Sequence, residues 1–558
     1  MGEEGGGRSC GTTRALQKLK QQAMEYYQQN DVPRRLEELL NSTFYLQPAD
    51  VYGHLANCFS KLAKPPTICR VVGKNVLDGL GLPTLQVEIF CTIQNFAKNI
   101  CSVVISSHFE VHENASPEQV EAEELERKDA VSTAVRWVNE AITEELQGIA
   151  PSNQTQVDQV LRIFFENKVQ EEKEKRELEK STEDSVVVPI PSPLPPAPPP
   201  PPAKKKGQKQ GRNDTVVEKP IIPAEPAEPV LCGSMAIGAV SLAVAKTSAM
   251  LDNNPLYLNI ALLKHSQLPS PKAETKKGHN GGKRGQPQIT GKMSHLGCLT
   301  INYDTTEQPL LLIQGICANL GLELGTNLHL AINCAAQELM DYSKGKYEVM
   351  MGTYKNAAEM VDLYVDLINK YPSIIALIDP FRKEDSEQWD SILNALGSRC
   401  YIIAGTTSKS ISKLLEEGNS SSPKASGLII NHTNQTTMSD LVEITNLIES
   451  KKYIAVFGST EGESSDDSLV DLAVGLGVRF IKLGGLSRGE RVTKYNRLFT
   501  IEEELVQNGT LGVNEEHTFL NFYEEAEQAA AAAGELPEPL EPVFPTEVEI
   551  AKTGASSG

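Results

Sequence analysis

The sequence predicts an α/β fold: a βα barrel of the TIM type, an α+β domain ahead of it, and a short helical module in front of both. Three observations predict it. First, short apolar runs recur at "LHLAIN" (328–333), "IIALI" (374–378), "CYIIA" (400–404), "GLIIN" (427–431), "YIAVF" (453–457) and "RFIKL" (479–483). The last five begin 26 or 27 residues apart, with helix-like stretches between them. Parallel strands buried on both faces read as such runs, and the spacing is that of repeated βα units. Second, 558 residues exceed one core, while 231–505 is long enough for a barrel with an extra helical layer. Third, "MAIGAVSLAVAKTSAMLDNNPLYLNIALL" (235–263) is almost wholly apolar. Its Asn-Asn-Pro break predicts two packed helices, set against the barrel or in the domain before it.

The elements follow in order. Residues 1–14 are polar and read as disordered, unlike a signal peptide; Gly6 stands where a myristoylation motif needs Ser or Thr. Residues 15–64 read as a helical module. Within 23–62, one run places Leu36, Leu39 and Leu40 on one face, and Leu46-Gln47-Pro48 breaks it. A second run places Val51, Leu55, Phe59 and Leu62 at helical spacing. Pro33 suits a first helical turn and Asp50 the next N-terminus. Two amphipathic helices this short need a partner surface.

Residues 67–166 read as an α+β domain. Composition then changes over 167–230. "KVQEEKEKRELEKSTEDS" (168–185) fits a solvated helix or a tether, and the polyproline stretch after it cannot build a core. Within it, "PIPSPLPPAPPPPPAKKK" (189–206) sets PxxP repeats beside positive charge, fitting either a spacer or a ligand for an SH3-type groove. Residues 231–508 supply the rest of the α+β domain and the barrel. Residues 509–558 are an acidic tail rich in Ala and Pro, read as disordered beyond its first turns.

Net charge of −20 and a pI near 5.1 argue against nucleic acid as a partner; the basic run 204–212 is too local to change that. The ten Cys contain no CxxC pair, so they read as single buried thiols in a reducing compartment. No apolar run reaches the roughly 18 residues of a membrane span. The histidines at 265, 279, 295, 329, 432 and 517 have no metal-ligand spacing, and His329 reads as a core or interface residue. Cys334 reads as a buried thiol, since no histidine is placed beside it. In a βα barrel the chemistry sits at the carboxyl ends of the strands. Here those ends read Asn333, Ile378, Thr406, Asn431 and Ser459, not a set to hold a metal or carry much charge.

Residues 67–166 and 231–508 resemble the enolase family. "LDGLGLPTLQVEIF" (77–90), "MAIGAVSLAVAK" (235–246), "AINCAAQEL" (331–339) and "YPSIIALIDPF" (371–381) follow family segments. So does the long match "EGESSDDSLVDLAVGLGVRFIKLGGLSRGERVTKYNRLFTIEEEL" (461–505). "ISSHF" (105–109) falls where the family has its mobile serine-bearing loop. The resemblance implies conversion of 2-phosphoglycerate to phosphoenolpyruvate, with a lysine base, an acid for the leaving group and two Mg²⁺ held mostly by carboxylates. It also implies where these groups fall. The three metal positions are Asn333, Ile378 and Thr406. The base position is Asn431, the acid position Leu299, and the substrate-binding positions are Ser459, Thr460 and Glu461. Lys482 fits the family's second active-site lysine, which contacts the substrate carboxylate. Asp379, Gly462, Glu463, Arg488, Glu490 and Arg491 also match the family and read mostly as structural.

The front of the chain is similar to the dimerisation and docking module of type II regulatory subunits of protein kinase A. Val32, Pro33, Leu36, Leu39 and Leu40 match its first helix; Pro48, Asp50, Leu55, Ala56 and Phe59 match its second. That resemblance implies a helical dimer holding an amphipathic anchoring helix, with relatives in ciliary and flagellar scaffolds; a simple helical cap on the body is the other reading.

Three functional readings follow. One is an enolase-fold scaffold, catalytically silent or weak, with no cofactor. Another is phosphopyruvate hydratase, requiring Mg²⁺. The third is a sensor that binds a phosphorylated metabolite through Lys482. The expected partners are a second copy or another enolase, in the cytoplasm, with attachment to a ciliary or flagellar cytoskeleton.

Overall fold

The computed structural model describes residues 9–106, 116–183, 221–224, 230–266, 291–294, 298–405, 411–417, 425–458 and 463–512. Three helices open it: α1 (Ser9–Gln29), α2 (Val32–Leu46) and α3 (Val51–Leu62). Pro33 lies in the first turn of α2, and Asp50 caps α3 by accepting from the Gly53 amide at 2.8 Å. Gln47 ends α2 in the left-handed conformation. The helical module thus begins ahead of residue 15, because α1 runs beyond the stripe that carries Leu16, Leu19 and Met24.

An antiparallel sheet follows: β1 (Thr67–Leu77), β2 (Pro83–Ile93) and β3 (Phe96–Val104), in that order. Gln94 and Asn95 both take positive φ, as a two-residue hairpin turn with the strands' own twist requires. Then come α4 (Pro117–Trp137), α5 (Thr143–Leu146) and α6 (Gln154–Glu183). The charged run expected to be a helix or a tether is helix as far as Glu183, laced by Lys168–Glu171 and Arg176–Glu172 pairs.

The apolar segment forms α7 (Met235–Leu251) and α8 (Leu256–His265), bent by 105° at the Asn-Asn-Pro break. Both placements read from the sequence occur: α7 packs on β2 and β3, and α8 joins the barrel side. Next are the small hairpin β4 (Lys292–Met293) and β5 (Leu299–Thr300), then α9 (Gln308–Leu320) and β6 (Leu330–Asn333). A second hairpin unit comprises β7 (Met340–Asp341), β8 (Lys346–Met350) and β9 (Thr353–Lys355).

The repeated units then run α10 (Ala357–Lys370), β10 (Ile374–Ile378), α11 (Ser386–Leu396), β11 (Tyr401–Ala404), α12 (Ile411–Glu417) and β12 (Gly427–Ile430). They continue with α13 (Met438–Ser450), β13 (Ile454–Gly458), α14 (Ser468–Leu476), β14 (Phe480–Lys482) and α15 (Gly489–Gln507). Strands β6, β10, β11, β12, β13 and β14 pair in sequence order, all parallel. Among the described residues this is a curved arc of six strands, a half-barrel rather than a closed ring of eight. The curvature is direct: the Tyr401 and Phe480 rings, three strands apart, meet edge to face at 5.8 Å.

Two apolar layers cover the arc. The outer, larger core runs from Ile68 in β1 through α7 to Phe457 in β13. The inner one lines the concave face with Tyr401, Ile403, Ile454 and Val456, against Ala376, Ile378, Ile429 and Phe480. Gly238 of α7 donates to the Asn434 carbonyl at 2.9 Å, and a Cβ there would stand 2.6 Å from that oxygen. No other residue fits.

One buried polar joint fastens α6, α7 and the start of α13. Asp158 accepts from Ser241 Oγ at 2.6 Å, Gln154 Nε2 at 2.9 Å, and Ser439 Oγ and N at 2.6 and 2.9 Å. The Ser241 hydroxyl also accepts from the Met438 amide at 2.9 Å. Burial pushes the Asp158 carboxyl above its ordinary range, opposed by these donors. A separate contact holds residues 221–224 to the arc. Arg382, paired with Asp385, donates through Nη1 to the Ile222 carbonyl at 3.0 Å, and Ile221 lies over Gly345.

Replacing Asp158 with alanine leaves four donors without their acceptor. The expected loss is about 2–4 kcal/mol in urea unfolding, with Ser241→Ala losing roughly half as much. A loss below about 0.5 kcal/mol for Asp158→Ala would show that the joint does not hold the two halves.

Candidate functional site

The carboxyl ends of the six strands converge as a rim, and the register fixes what faces it. Ile378 stands beside Asn333 on one side and Ile403 on the other; Gly458 stands beside Lys482. The alternation of a strand then turns Ile378, Ile403, Ile429, Val456 and Phe480 to the concave side.

Ile378 belongs to that inner apolar layer. The nearest carboxylate in sequence, Asp379, is buried and takes φ 48. Its amide donates to the Ile403 carbonyl at 2.9 Å, and its carboxylate accepts from the Gly405 amide at 2.7 Å. A Cβ at Gly405 would stand 2.9 Å from the same carboxylate. Asp379 therefore ties two strand ends together. Asn333 is exposed at the end of the edge strand. Asn431 is half-buried; with its amide nitrogen turned to the sheet it donates to the Gly458 and Ile430 carbonyls at 2.8 and 3.1 Å. Lys482 is exposed at the end of β14. Leu299 lies on β5, exposed, with its side chain over Gly291. Thr406, Ser459, Thr460 and Glu461 lie outside the described residues, as do residues 107–109 of the loop and the strip 189–206.

The structure thus brings Asn333, Ile378 and Asn431 to one rim with Lys482. Among the described residues, that rim carries the Asn333 and Asn431 amides and the Lys482 ammonium group. Among the described residues of the rim, Ile378 has no donor atom for a metal ion and the Asp379 carboxylate accepts from the Gly405 amide. Among the described residues, no group of three His, Cys, Asp or Glu side chains is placed to hold a metal ion. Burial pushes the Cys334 thiol up to about 12, far from thiolate chemistry.

Behind the rim, Glu463 is buried between two cations. Its carboxylate meets Arg491 at 3.2 Å and Lys494 at 3.1 Å, locking α15 to the segment after β13. Sequence reading placed Glu463 and Arg491 among structural survivors and passed over Lys494. His432, next to Asn431, was also passed over as a candidate. It is buried, its Nε2 has no hydrogen-bond partner among the described residues, and desolvation pushes it down to about 4. No local signal in "NHTN" announces that burial.

The front module gathers a second set. Leu36, Leu40 and Phe59 are exposed, and Leu39 and Leu55 are half-buried. Thr43 is the only buried side chain described in α2 and α3. A Gln94–Ser60 hydrogen bond of 3.1 Å links α3 to the first hairpin. Among the described residues no single helix is long and apolar enough to cross a membrane.

The family model "Enolase, C-terminal TIM barrel domain" matches residues 280–518. The chain is similar over its whole length to Enolase 4 of Homo sapiens, 74% identical, with 100% of each chain covered. That alignment spans 625 positions, more than the 558 residues here, so the relative carries residues within the aligned length that this chain lacks. Enolase 4 of Mus musculus is 65% identical, covering 99% of this chain and 100% of its own. Enolase 4 of Danio rerio is 40% identical, covering 91% and 95%.

The depressed His432 sets a pH dependence. A folded pKa near 4 against about 6.5 unfolded means that the stability is fully present above 6.5. It is lost as pH falls from 6.5 towards 4, at about 1.4 kcal/mol per unit. Urea unfolding should show a loss of about 2–3 kcal/mol between pH 7 and 4 that His432→Gln lacks. Equal pH slopes for the two chains would remove His432 as the cause.

Proposed function

Since the chain belongs to the enolase family, we propose that it works as an enolase-fold assembly protein whose rim does not carry out two-metal dehydration. The observation that carries this reading is Ile378. At the position where the family resemblance puts a carboxylate ligand, its side chain joins the concave apolar layer. Burying a charged metal beside that layer without oxygen donors is strongly unfavourable. Asn431 at the base position supports the same reading, since an amide does not take a proton from a weak carbon acid. The chain then needs no Mg²⁺ for its role.

The kinship speaks more directly for a second reading. Relatives of 74% and 65% identity carry the name Enolase 4, which favours phosphopyruvate hydratase activity, and that chemistry would call for Mg²⁺. Lys482 would then meet the substrate carboxylate. In either reading the module α1–α3 is a docking surface for an amphipathic anchoring helix, supported by the exposed Leu36, Leu40 and Phe59 beside Leu39 and Leu55. The 189–206 strip would take an SH3-type partner. These attachments favour a cytoplasmic protein on a ciliary or flagellar structure, as a homodimer or paired with another enolase.

Purified full chain, alone and mixed with a conventional enolase, should give 2-phosphoglycerate turnover at background with Mg²⁺. Ile378→Glu alone should leave it there, because the base and other ligands are still missing. Robust turnover abolished by a chelator would establish the hydratase reading, with Lys482→Ala expected to lower it.

Leu55→Glu in the full chain should weaken capture of an amphipathic anchoring peptide tenfold or more, since burying Leu55 contributes about 1.5–3 kcal/mol. Unchanged capture, or none by the parent chain, would leave α1–α3 as a simple cap.

A further inference from the structure

We propose that the turn between β7 and β8, together with Arg382 beside it, is a docking site for an extended proline-bearing peptide of a partner protein, and that residues 221–224 hold that site in cis. The sequence supplies the first observation. Proline stands at 220, 223, 226 and 229, every third residue. Three residues per turn is the period of polyproline II, a form whose carbonyls have no partner within the helix. Residues 221–224 read Ile-Ile-Pro-Ala. A residue ahead of a proline is confined to extended backbone, so the Ile222 carbonyl is offered with little ordering left to lose.

The seat that receives this segment is built from the body. Arg382 is buried, and its Nε and Nη2 grip the Asp385 carboxylate at 3.1 and 2.9 Å. That fork leaves Nη1 for an acceptor on another segment, here the Ile222 carbonyl at 3.0 Å. The arginine is itself fixed. The Tyr347 hydroxyl donates to Asp385 and accepts from the Arg382 amide at 3.2 Å, and Trp389 Nε1 donates to the Arg382 carbonyl at 3.0 Å. The Tyr342 ring lies 5.4 Å from the guanidinium and is 43% exposed. Gly345, at φ 65, makes room for the apolar anchor: a Cβ there would stand 2.5 Å from Ile221 Cδ1. The seat therefore reads an apolar side chain, the carbonyl of the next residue, and the proline after it.

The cis occupant shows the chemistry that fits and holds it loosely. Ile221 stays 42% exposed and Ile222 57%. When the segment leaves, the buried Nη1 loses its acceptor and the apolar turn is bared, so the seat favours a replacement of the same kind. A partner's segment that also covers Tyr342 gains a contact that the cis segment leaves open to solvent. Aromatic faces are a recurring platform for such peptides. The tether keeps the cis segment at high local concentration, so a free peptide binds the parent chain more weakly than it binds an emptied seat. The inference rests neither on the rim nor on the docking reading of α1–α3.

The test follows the fluorescence anisotropy of a labelled peptide with the sequence of residues 216–228. It compares the full parent chain with an opened full chain, Ile221→Gly with Pro223→Gly, whose cis segment has lost its anchor and its stiff bond. The opened chain should bind the peptide, at least about tenfold more tightly than the parent does. Peptides carrying Ile221→Asp or Pro223→Gly should each bind the opened chain at least about tenfold more weakly, and these changes leave the folding of the protein untouched. Arg382→Lys in the opened chain should weaken binding similarly, since an ammonium group cannot fork onto Asp385 and still present a fixed donor. Circular dichroism and the unfolding midpoint report whether that variant folds; if it does not, Tyr342→Ala replaces it. An opened chain that ignores the peptide overturns the proposal. So does equal binding by parent and opened chains, or binding indifferent to both the peptide changes and the change in the seat.

Discussion

Everything in this chain is arranged around one helix that has no exposed face. Fourteen of the seventeen residues of α7 are buried, by the antiparallel sheet on one side and by the barrel helices on the other. A helix apolar all round is stable only when neighbours surround it. It therefore compels the two parts of the chain, before Glu183 and after Val230, to close on each other. Its small residues set how closely they approach, with Gly238 against the Asn434 carbonyl as the tightest point. Asp158 then fixes the orientation, because its four donors come from three elements and are satisfied in one arrangement only.

The concave face extends the same principle to the rim. In an arc filled with Ile378, Ile403, Ile429, Val456 and Phe480, a charge has to be matched locally or left out. Asp379 is matched by the Gly405 amide, and Glu463 by Arg491 and Lys494. Among the described residues, the other polar groups at the strand ends are the Asn333 and Asn431 amides and the Lys482 ammonium group.

Much of the fold was legible beforehand because its signals are local. Each of the six strands lies within a short, mainly apolar run, Pro33 and Asp50 mark helix starts, and Asn-Asn-Pro separates α7 from α8. What was not legible depends on distant partners. The burial of His432 follows from α7 passing beside it, and the Asp158 joint unites residues more than eighty positions apart. At the rim, the residue types at Asn333, Ile378 and Asn431 were readable, but the turning of Asp379 towards Gly405 needed the positive φ that only the backbone displays.

The small contact between Arg382 and the Ile222 carbonyl decides how residues 221–224 respond to force. They are held to the arc by that guanidinium and by Ile221 over Gly345, not by the core. A pull at residue 221 is therefore borne by one hydrogen bond from an arginine already paired with Asp385. That clasp opens first, so tension there would free the segment and leave the body intact.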